Sequence, residues 1–427
     1  MLNVIDDICG AGKTTYIIKQ MQEELQKDDD IRFIYVTPYL DEIKRVKREM
    51  NNFTLLPKSC KFVEPEFDIK SEFKKTQAFL DLIFENKNIC TTHALFRLIN
   101  ENIITLLNQR NYILIIDEVL DVVKECPITK SDYEDILDKH ATLDNDNKVI
   151  WTDKSYTGKF DEYKRCALND NLYAYTEKDE PKAFFWNFPY QIFSLFNETY
   201  ILTYMFDCQI MAYYLKYHNV PYQKYSLDSK THTLTQYTPR KIDKNLFDII
   251  GDKDNRKDNR TRNQERKYNN IGDGRTDLCK SWYKRKTGSI KNVKLLNNAL
   301  RAVRKNYFKC DTDDLIWTTY KNKENTTHKN KENIIKFEGS KSTFLACNAR
   351  ATNRYQDRHF IMYGVNLFLN PILKKYFQQQ GIETDEDKWA LSVLIQFVFR
   401  SAIRNGEKVR MYLPSKRMRK LFLDYIS

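Results

Sequence analysis

Short apolar segments alternate with amphipathic stretches along the first third of the chain. Leu2–Ile5 is a short apolar segment, Tyr112–Ile116 is a continuous apolar run, and Thr14–Gln26 has its apolar residues at helical spacing. Continuous runs of this length are typical of parallel strands that are covered on both faces. The same pattern predicts a strand at Ile31–Val36 and another strand that ends at Asn88–Cys90. It also predicts helices at Asp41–Met50 and His93–Asn100. Strands that alternate with helices indicate an α/β domain with a parallel sheet.

Two stretches interrupt this pattern. Residues from about 122 to 190 are polar and rich in Tyr and Asp, and we interpret them as an insertion. We expect its aromatic run Phe184–Phe193 to pack against the first domain, and the alternative is a wedge that separates nucleic-acid strands. The α/β pattern resumes with a strand at Tyr200–Tyr204 and a helix at Asp207–Tyr217. Between residues 251 and 286 the apolar periodicity disappears among twelve basic and six acidic residues, which predicts a charged linker or loop. Its Tyr268, Trp282 and Tyr283 also suggest a surface that holds a nucleic-acid strand by charge and stacking.

The last third returns to the α/β pattern. It predicts helices at Val293–Tyr307, Trp389–Ile403 and Lys416–Tyr425, and strands at Asp314–Tyr320, Thr343–Cys347, Phe360–Tyr363 and Val409–Leu413. We therefore predict two α/β domains with parallel sheets. The first covers residues 1–225 and contains the insertion, a charged linker region covers 226–290, and the second domain covers 291–427.

Composition narrows the class of protein. The 427 residues carry a formal net charge of +12, include 13% aromatic residues and contain no run of 18 apolar residues. A transmembrane helix and uniform disorder are therefore excluded. Nine cysteines without a CxxC pair argue against a disulfide framework and against a zinc site of the usual spacing. Because the chain starts without a visible signal peptide, we expect a cytoplasmic protein with no membrane partner, and its positive charge favours a polyanionic partner.

A turn that contains two glycines follows the first predicted strand and opens the first predicted helix. Its residues are Gly10, Ala11, Gly12, Lys13, Thr14 and Thr15. In this context the backbone N–H groups can surround phosphate oxygens at the positive end of the helix. Lys13 would reach the β- and γ-phosphates of a nucleotide, and the hydroxyl of Thr14 would bind Mg²⁺. The usual loop of this kind begins with glycine, and Asp7 stands at that position here.

Two acidic residues follow the apolar run Tyr112–Ile116. An acid at the carboxyl end of a buried parallel strand faces the ligand crevice of an open α/β sheet. We therefore expect Asp117 to hold Mg²⁺ and Glu118 to polarise the water that attacks the γ-phosphate. The alternative is an acid pair that starts a helix and complements its dipole. The phosphate-binding loop upstream favours the catalytic interpretation.

These motifs occur in an order that resembles a superfamily-two DExx-box helicase or translocase. The phosphate-binding loop is similar to motif I, and Ile115–Asp121 is similar to motif II with Leu120 in the fourth place of the box. Arg400–Leu421 also resembles P-loop ATPases of phages and mobile elements. The resemblance implies two RecA-like P-loop domains that use ATP and Mg²⁺ to move along nucleic acid, with DNA favoured over RNA. It leaves the oligomeric state open, and a monomer is plausible because both lobes are in one chain.

The resemblance also implies which residues contact nucleic acid. Val36–Ile43 is similar to motif Ia, which assigns Thr37 and Pro38 to the nucleic-acid backbone. Thr91–Phe96 is similar to the next backbone-contacting motif, which adds Thr91 and Thr92. Three weaker matches follow, with Leu202–Phe206 at the coupling motif, Leu315–Lys321 at motif IV and Phe344–Tyr355 at motif V. The last of these adds Arg350, Thr352 and Asn353.

Gln396–Arg404 is similar to motif VI, which is usually written QxxGRxxR. Gln396 and Arg400 match its spacing, whereas its second arginine falls on Ile403, one place before Arg404. The resemblance implies that Gln396 senses the nucleotide and that Arg400 or Arg404 supplies an arginine finger to the transferred phosphoryl group. On the single helix predicted over Trp389–Ile403 and its continuation, these three side chains would share one face.

Three other functions stay open: a phage DNA-packaging ATPase, a nucleotide kinase, and an adaptor that binds nucleic acid or protein and uses ATP only as a switch. A packaging motor would add a nuclease with an acidic metal cluster, for which the candidates are Asp311, Asp313, Asp314, Asp385, Glu386 and Asp387. A kinase would consume ATP regardless of nucleic acid. A switch would bind ATP with little turnover, and Glu118 argues against it because binding alone needs no hydrolytic acid.

Overall fold

The computed structural model describes residues 1–28, 30–66, 72–177, 180–240, 242–250, 271–284, 289–320, 343–349 and 354–427. Its strands are β1 (Leu2–Asp6), β2 (Arg32–Thr37), β3 (Phe62–Val63), β4 (Asn88–Thr92), β5 (Tyr112–Asp117), β6 (Val123–Cys126), β7 (Ala141–Leu143), β8 (Val149–Trp151), β9 (Leu172–Glu177), β10 (Glu180–Asn187), β11 (Glu198–Thr203), β12 (Gln223–Leu227), β13 (Leu234–Gln236), β14 (Phe247–Ile249), β15 (Leu315–Thr318), β16 (Phe360–Tyr363) and β17 (Val409–Tyr412).

The α-helices in the same ranges are α1 (Lys13–Lys27), α2 (Leu40–Asn51), α3 (Glu72–Phe84), α4 (His93–Phe96), α5 (Glu101–Leu107), α6 (Lys130–Lys139), α7 (Asp161–Leu168), α8 (Ile210–Tyr217), α9 (Lys280–Lys284), α10 (Ser289–Ala302), α11 (Pro371–Gln379), α12 (Glu386–Val398) and α13 (Lys416–Ile426). None of these helices is long and apolar enough to cross a membrane. The chain divides into two compact units. Unit 1 contains Met1–Pro239 and Asn370–Thr384, and unit 2 contains Arg240–Leu369 and Asp385–Ser427.

An eight-stranded sheet forms the centre of unit 1, in the order β13-β12-β1-β11-β5-β2-β4-β3. Neighbouring strands are parallel except for β12 and β13, which pair antiparallel at one edge. Alternate residues of β5 enter two different cores: Leu114 and Ile116 pack in one, and Ile113 and Ile115 pack in the other. This burial on both faces explains the continuous apolar run in the sequence. The prediction of an α/β fold with parallel sheets is confirmed here.

The insertion forms an antiparallel sheet within unit 1, in the order β6-β10-β9, together with the β7–β8 hairpin. Its own small core contains Tyr133, Trp151 and Phe184, and the rings of Tyr133 and Phe184 stack with centroids 4.2 Å apart. The next residue along β10, Phe185, is buried in the main core of unit 1 instead. Successive side chains of a strand project from opposite faces, so one face of β10 packs in the core of the insertion and the other packs in the main core of unit 1.

Residues 370–384 belong to unit 1 although the residues on both sides of them belong to unit 2. Tyr376 and Phe377 of α11 are buried in the main core of unit 1. The rings of Tyr376 and Phe185 stack with centroids 4.4 Å apart, and the amide of Asn187 donates to the Tyr376 hydroxyl at 2.7 Å. The range expected for the second domain therefore contributes one helix to unit 1.

Unit 2 is built on a parallel sheet of four strands, in the order β14-β17-β16-β15. Its core includes Leu296, Trp317 and Met362. The predicted strand at Thr343–Cys347 is reduced to an isolated bridge between Trp317 and Phe344. The expected linker region 226–290 contains strands of both units, since β13 pairs with β12 and β14 pairs with β17.

Part of the segment predicted to be a charged loop is core instead. Leu278, Trp282 and Tyr283 are buried, and the Tyr283 hydroxyl donates to the carbonyl oxygen of Gly364 at 2.5 Å. The interpretation of Trp282 and Tyr283 as stacking surfaces for a nucleic-acid strand is therefore wrong, because both rings are enclosed by other side chains. Tyr268 and most of the charged residues of this segment lie outside the described residues.

The packing of β10 gives a stability prediction. Phe185 is 0% exposed, so we expect Phe185→Ala to lower the stability of unit 1 by about 3–5 kcal/mol, through lost burial and the cavity left behind. Phe84 is 69% exposed, and Phe84→Ala is the matched control with an expected effect within about 0.5 kcal/mol. Urea unfolding of both variants measures the difference. Equal transition midpoints for the two variants would contradict the assigned packing.

Candidate nucleotide-binding site

The carboxyl ends of neighbouring parallel strands meet at one edge of the unit 1 sheet. The strand register pairs Asp6 with Thr203 and Thr37 with Thr92, and Asp117 ends β5 between these two pairs. Residues that are far apart in the sequence are therefore brought to the same edge. An edge of this kind is where open α/β sheets bind their ligands.

The loop between β1 and α1 has the backbone shape that its glycines allow. Gly10 has a φ of 89° and Gly12 a φ of 87°, a region that residues with a Cβ atom rarely adopt. The backbone N–H of Ala11 donates to the carbonyl oxygen of Ile8 at 3.2 Å and tightens the turn. Gly12 caps α1 without a side chain that could bond to the first N–H groups of the helix. These N–H groups and the positive end of the helix dipole are suited to binding an anion.

Lys13 closes this loop from the first position of α1. Its Nζ donates to the carbonyl oxygen of Asp7 at 2.5 Å and to that of Ile8 at 2.9 Å. The ammonium group is thus held at the loop, at the positive end of the helix. Thr14 lies half-buried in the first turn of α1, whereas Thr15 is exposed.

Asp7 occupies the position at which loops of this kind usually have their first glycine. Its carboxylate is buried and accepts hydrogen bonds from the backbone N–H of Ile8 at 2.8 Å and from that of Leu227 at 3.0 Å. Leu227 is the last residue of β12, so the carboxylate fastens the start of the loop to the neighbouring strand. The sequence gives no sign of this bond because its two ends are 220 residues apart.

Asp117 is a buried acid at the centre of the edge. The hydroxyl of Tyr35 donates to its Oδ2 at 3.0 Å. Burial raises the pKa of Asp117 to about 7, the negative charges of Glu118 and Glu42 add to this, and the bond from Tyr35 and the charge of Lys13 oppose it. A cation beside the carboxyl group would favour its ionised form.

Glu118 has a φ of 65°, a left-handed conformation that is rare for a residue of this size. Its backbone N–H donates to the carbonyl oxygen of Leu202 at 2.9 Å, which fixes the turn after β5 against β11. Outliers of this kind are concentrated at functional sites. The alternative that this acid pair starts a helix is wrong, because the chain continues through an irregular segment into β6.

Two histidines lie at the site although no sequence pattern pointed to them. His93 is buried, and its Nε2 lies 2.9 Å from the carbonyl oxygen of Asp117. His232 lies in the hairpin between β12 and β13, where its Nδ1 would be 3.8 Å from a Cβ atom placed on Gly12. The position of His93 directly after Thr91 and Thr92 was the one available signal for its role.

The residues assigned to the nucleic-acid backbone divide into two sets. In the first set, the hydroxyls of Thr37 and Thr91 are buried without a hydrogen-bond partner among the described residues, and Pro38 is half-buried after β2. The hydroxyl of Thr92 accepts a hydrogen bond from the backbone N–H of Leu95 at 3.2 Å and caps α4. The second set, Arg350, Thr352 and Asn353, lies outside the described residues.

The prediction that Gln396, Arg400 and Arg404 share one face of a single helix is wrong. Helix α12 contains Gln396 and ends at Val398, before Arg400. The Ser401 hydroxyl donates to the carbonyl oxygen of Val398 at 2.6 Å and starts a separate 3-10 turn, Ala402–Asn405, which contains Arg404. Arg400 is 3% exposed, whereas Arg404 is half-exposed. The two arginines therefore differ in their access to a ligand.

The acidic residues considered for a nuclease do not form a metal site. Asp385 caps α12, the carboxylate of Asp387 pairs with Arg417 at 2.5 Å, and Asp314 lies 3.1 Å from His359. Within the described ranges, no group of three or more His, Cys, Asp or Glu side chains is arranged to hold a metal ion.

Comparison with known proteins identifies relatives of the whole chain. A family model described as the YonV C-terminal Rossmann-like domain matches residues 257–426, and one described as the YonV middle domain matches residues 123–186. The Bacillus subtilis (strain 168) protein named "SPbeta prophage-derived uncharacterized protein YonV" is 37% identical over 438 aligned residues. The alignment covers 100% of this chain and 98% of that protein.

Solved structures give weaker similarities. The DUF1998 helicase MrfA bound to DNA and AMPPNP has a TM-score of 0.37 and 10% identity, over 99% of this chain and 48% of that chain. S. tokodaii Xpd4 has a TM-score of 0.40 and 12% identity, over 99% of this chain and 93% of that chain. The present chain thus spans about half the length of MrfA.

The raised pKa of Asp117 gives a prediction about stability. Because the folded-state pKa of about 7 lies above the ordinary value of 3.8, the folded protein binds more protons between these pH values. The contribution of Asp117 to the free energy of unfolding of the ligand-free protein therefore falls as the pH rises from about 4 to about 7. We expect Asp117→Asn to remove this loss and to stabilise the protein at pH 8 by up to about 4 kcal/mol, with little effect at pH 4.

Thermal unfolding of the wild type and the variant across this pH range measures the effect. Asp138 is exposed on α6, and Asp138→Asn should leave the pH profile of the wild type unchanged. A wild-type profile that matches Asp117→Asn at every pH would show that the carboxyl group is not destabilised by burial.

Proposed function

We propose that this chain, which belongs to the YonV family, is an ATP hydrolase of the helicase or translocase type that acts on nucleic acid. In this proposal unit 1 binds the nucleotide and unit 2 supplies the arginine that completes the site. DNA is the favoured track. The prophage origin in the name of the Bacillus subtilis relative agrees with the resemblance to ATPases of phages and mobile elements.

One observation favours a hydrolase over a protein that only binds nucleotide. Asp117 ends the strand β5, and the left-handed Glu118 follows it, at the same sheet edge as the loop that Lys13 closes. Glu118 would orient and polarise the attacking water from a backbone position that is unfavourable in the absence of a functional demand. A switch that only binds ATP does not require this acid.

The residues fit a nucleotide with a divalent cation. Phosphate oxygens would accept hydrogen bonds from the loop N–H groups and from the Lys13 ammonium group, in place of the carbonyl oxygens of Asp7 and Ile8. The Thr14 hydroxyl and the Asp117 carboxylate are oxygen donors of the kind that Mg²⁺ prefers. When bound, Mg²⁺ would neutralise charge on the transferred phosphoryl group.

The track would be gripped by groups that bind phosphates rather than bases. Thr37, Thr91 and Thr92 lie at the ends of two adjacent strands, and Pro38 follows one of them, at the same edge as the proposed nucleotide site. A change at Asp117 could reach them through His93, which lies between β4 and the Asp117 carbonyl group. Arg350, Thr352 and Asn353 remain proposed contacts of the second domain. Phosphate contacts give little sequence preference and a strong dependence on salt.

We expect phosphate release from ATP to rise with a polymer and to require Lys13. The measurement compares no polymer, single-stranded DNA, duplex DNA and RNA. Lys13→Ala should reduce turnover at least about 100-fold, because the phosphates lose their positive partner. The matched control is Lys19→Ala on the same helix, since the Lys19 side chain is 74% exposed and should have no role in turnover.

Each alternative outcome favours a different function. Lys13-dependent turnover that ignores every polymer would contradict the motor and favour a kinase. Tight ATP binding without turnover would favour the switch. DNA cleavage with Mg²⁺ or Mn²⁺ and without ATP would favour a packaging motor.

The arginines of unit 2 give a second prediction. Arg404 is half-exposed, so Arg404→Ala should lower kcat about 10³-fold and change ATP binding little, as expected for a residue that acts on the transferred phosphoryl group. Arg400 is buried, and Arg400→Lys, which keeps the positive charge, tests it with less risk to folding. If Arg404→Ala hydrolyses ATP at the wild-type rate and Arg400→Lys does not, the finger is Arg400.

A further inference from the structure

A groove of about 870 Å³ lies within unit 1, between the carboxyl end of β4 and the insertion. Thr91 and Thr92 line one wall, and residues of β6, α7 and β10 line the other. Lys124 and Arg165 of the insertion are exposed, so the groove is open to solvent. The insertion thus faces the residues that were assigned to the nucleic-acid backbone.

The groove carries an excess of positive charge. Four of its lining side chains are cationic and two are carboxylates; these are Lys75, Arg97, Lys124 and Arg165, and Glu64 and Glu162. Glu64 is paired with Lys47 at 2.6 Å and Arg97 with Asp121 at 3.6 Å, so one charge of each sign is partly offset. The lining also includes the amides of Asn100, Asn169 and Asn171. Cations with neutral hydrogen-bonding groups are suited to a phosphodiester backbone.

An aromatic ring stands beside one of these cations. Trp186 of β10 pairs directly with Lys124 of β6 in the antiparallel register. Residues directly opposite each other on antiparallel strands project from the same face of the sheet, so the indole and the ammonium group are neighbours. A cation next to an aromatic ring is the combination that holds unpaired bases by stacking and their phosphates by charge.

Thr91 supplies a separate sign of a ligand. Its side chain lines the groove and is 1% exposed, and its hydroxyl has no hydrogen-bond partner among the described residues. A buried hydroxyl without a partner is destabilising, and a bound acceptor would remove this cost.

We propose that this groove binds a single strand of nucleic acid, with the insertion as the second half of the binding site. Phosphates lie beside Lys124 and Arg165, one base stacks on Trp186, and the strand passes Thr91 and Thr92. A single strand is specified because the bases of a duplex have both faces covered by their neighbours and leave none for Trp186. This assignment rests on the proposed action on nucleic acid and adds to it the surface that holds the strand.

The test uses the full chain and a fluorescently labelled oligo-dT strand, with binding measured by anisotropy at several salt concentrations. Lys124→Ala combined with Arg165→Ala should weaken binding at least about 10-fold and reduce the slope of log K against log salt by about 1.4, since two phosphate contacts are lost. The control combines Lys130→Ala with Lys139→Ala, which removes the same charge from exposed positions of α6 that do not line the groove. This control should bind as the wild type does.

Stacking is tested separately by Trp186→Ala and Trp186→Phe. The loss of one stacked base should weaken binding about 5- to 150-fold, and phenylalanine should restore part of it. Thermal unfolding of each variant identifies any loss of folding. Unlabelled oligo-dT should displace the labelled strand, whereas polyglutamate of equal charge should not, and equal competition by polyglutamate would overturn the assignment in favour of an acidic protein.

Binding and hydrolysis measured with the wild type distinguish a wrong groove assignment from a wrong proposed function. If a single strand binds and stimulates hydrolysis in the wild type, but both double variants behave alike, the groove assignment is overturned and the nucleic-acid function stands. If the wild type neither binds nor responds to any nucleic acid, the proposed function is overturned and the groove assignment falls with it.

Discussion

The hydrogen-bond register of the parallel sheet in unit 1 determines where the strand-end residues of the candidate site lie. Parallel pairing places all carboxyl ends on one side, so β1, β11, β5, β2 and β4 deliver their last residues to a common edge. A shift of one residue would turn the side chain at each strand end to the opposite face. Burial on both faces of β5 opposes such a shift, because it would exchange the residues of two packed cores.

At this edge, burial disfavours the ionised form of the Asp117 carboxyl group, whereas its hydrogen bond and the nearby positive charge favour that form. Asp117 is buried next to Glu118, its carboxylate accepts a hydrogen bond from Tyr35, and the positive charge of Lys13 opposes the rise of its pKa. Such a carboxyl group is unfavourable when ionised and alone, so a cation placed beside it would stabilise its ionised form. Asp7 is buried as well, but it is satisfied by backbone N–H groups of the loop and of β12 and serves to hold the loop. Two buried aspartates thus have opposite roles because their partners differ.

The local pattern of the sequence predicts the fold class, and it predicts that a glycine-containing loop joins the first strand to the first helix. The run Tyr112–Ile116 and the glycines before Lys13 are short segments whose meaning depends on their immediate neighbours. Long-range pairing was not accessible in this way, as the bond between Asp7 and Leu227 shows. The end of α12 at Val398 was missed because helical spacing continues through Arg404, whereas the Ser401 hydroxyl starts a new turn. Trp282 and Tyr283 were misjudged because their charged neighbours conceal an apolar face that only packing reveals.

The return of α11 to unit 1 has a consequence for the order of events during synthesis. The core of unit 1 includes Tyr376 and Phe377, so it remains incomplete after Pro239 has left the ribosome. At about 5–20 residues per second, the missing helix follows roughly 7–30 s later. During that interval the apolar surface around Phe185 would be open to other nascent chains and to chaperones, and the native core would close only when most of unit 2 had also been made.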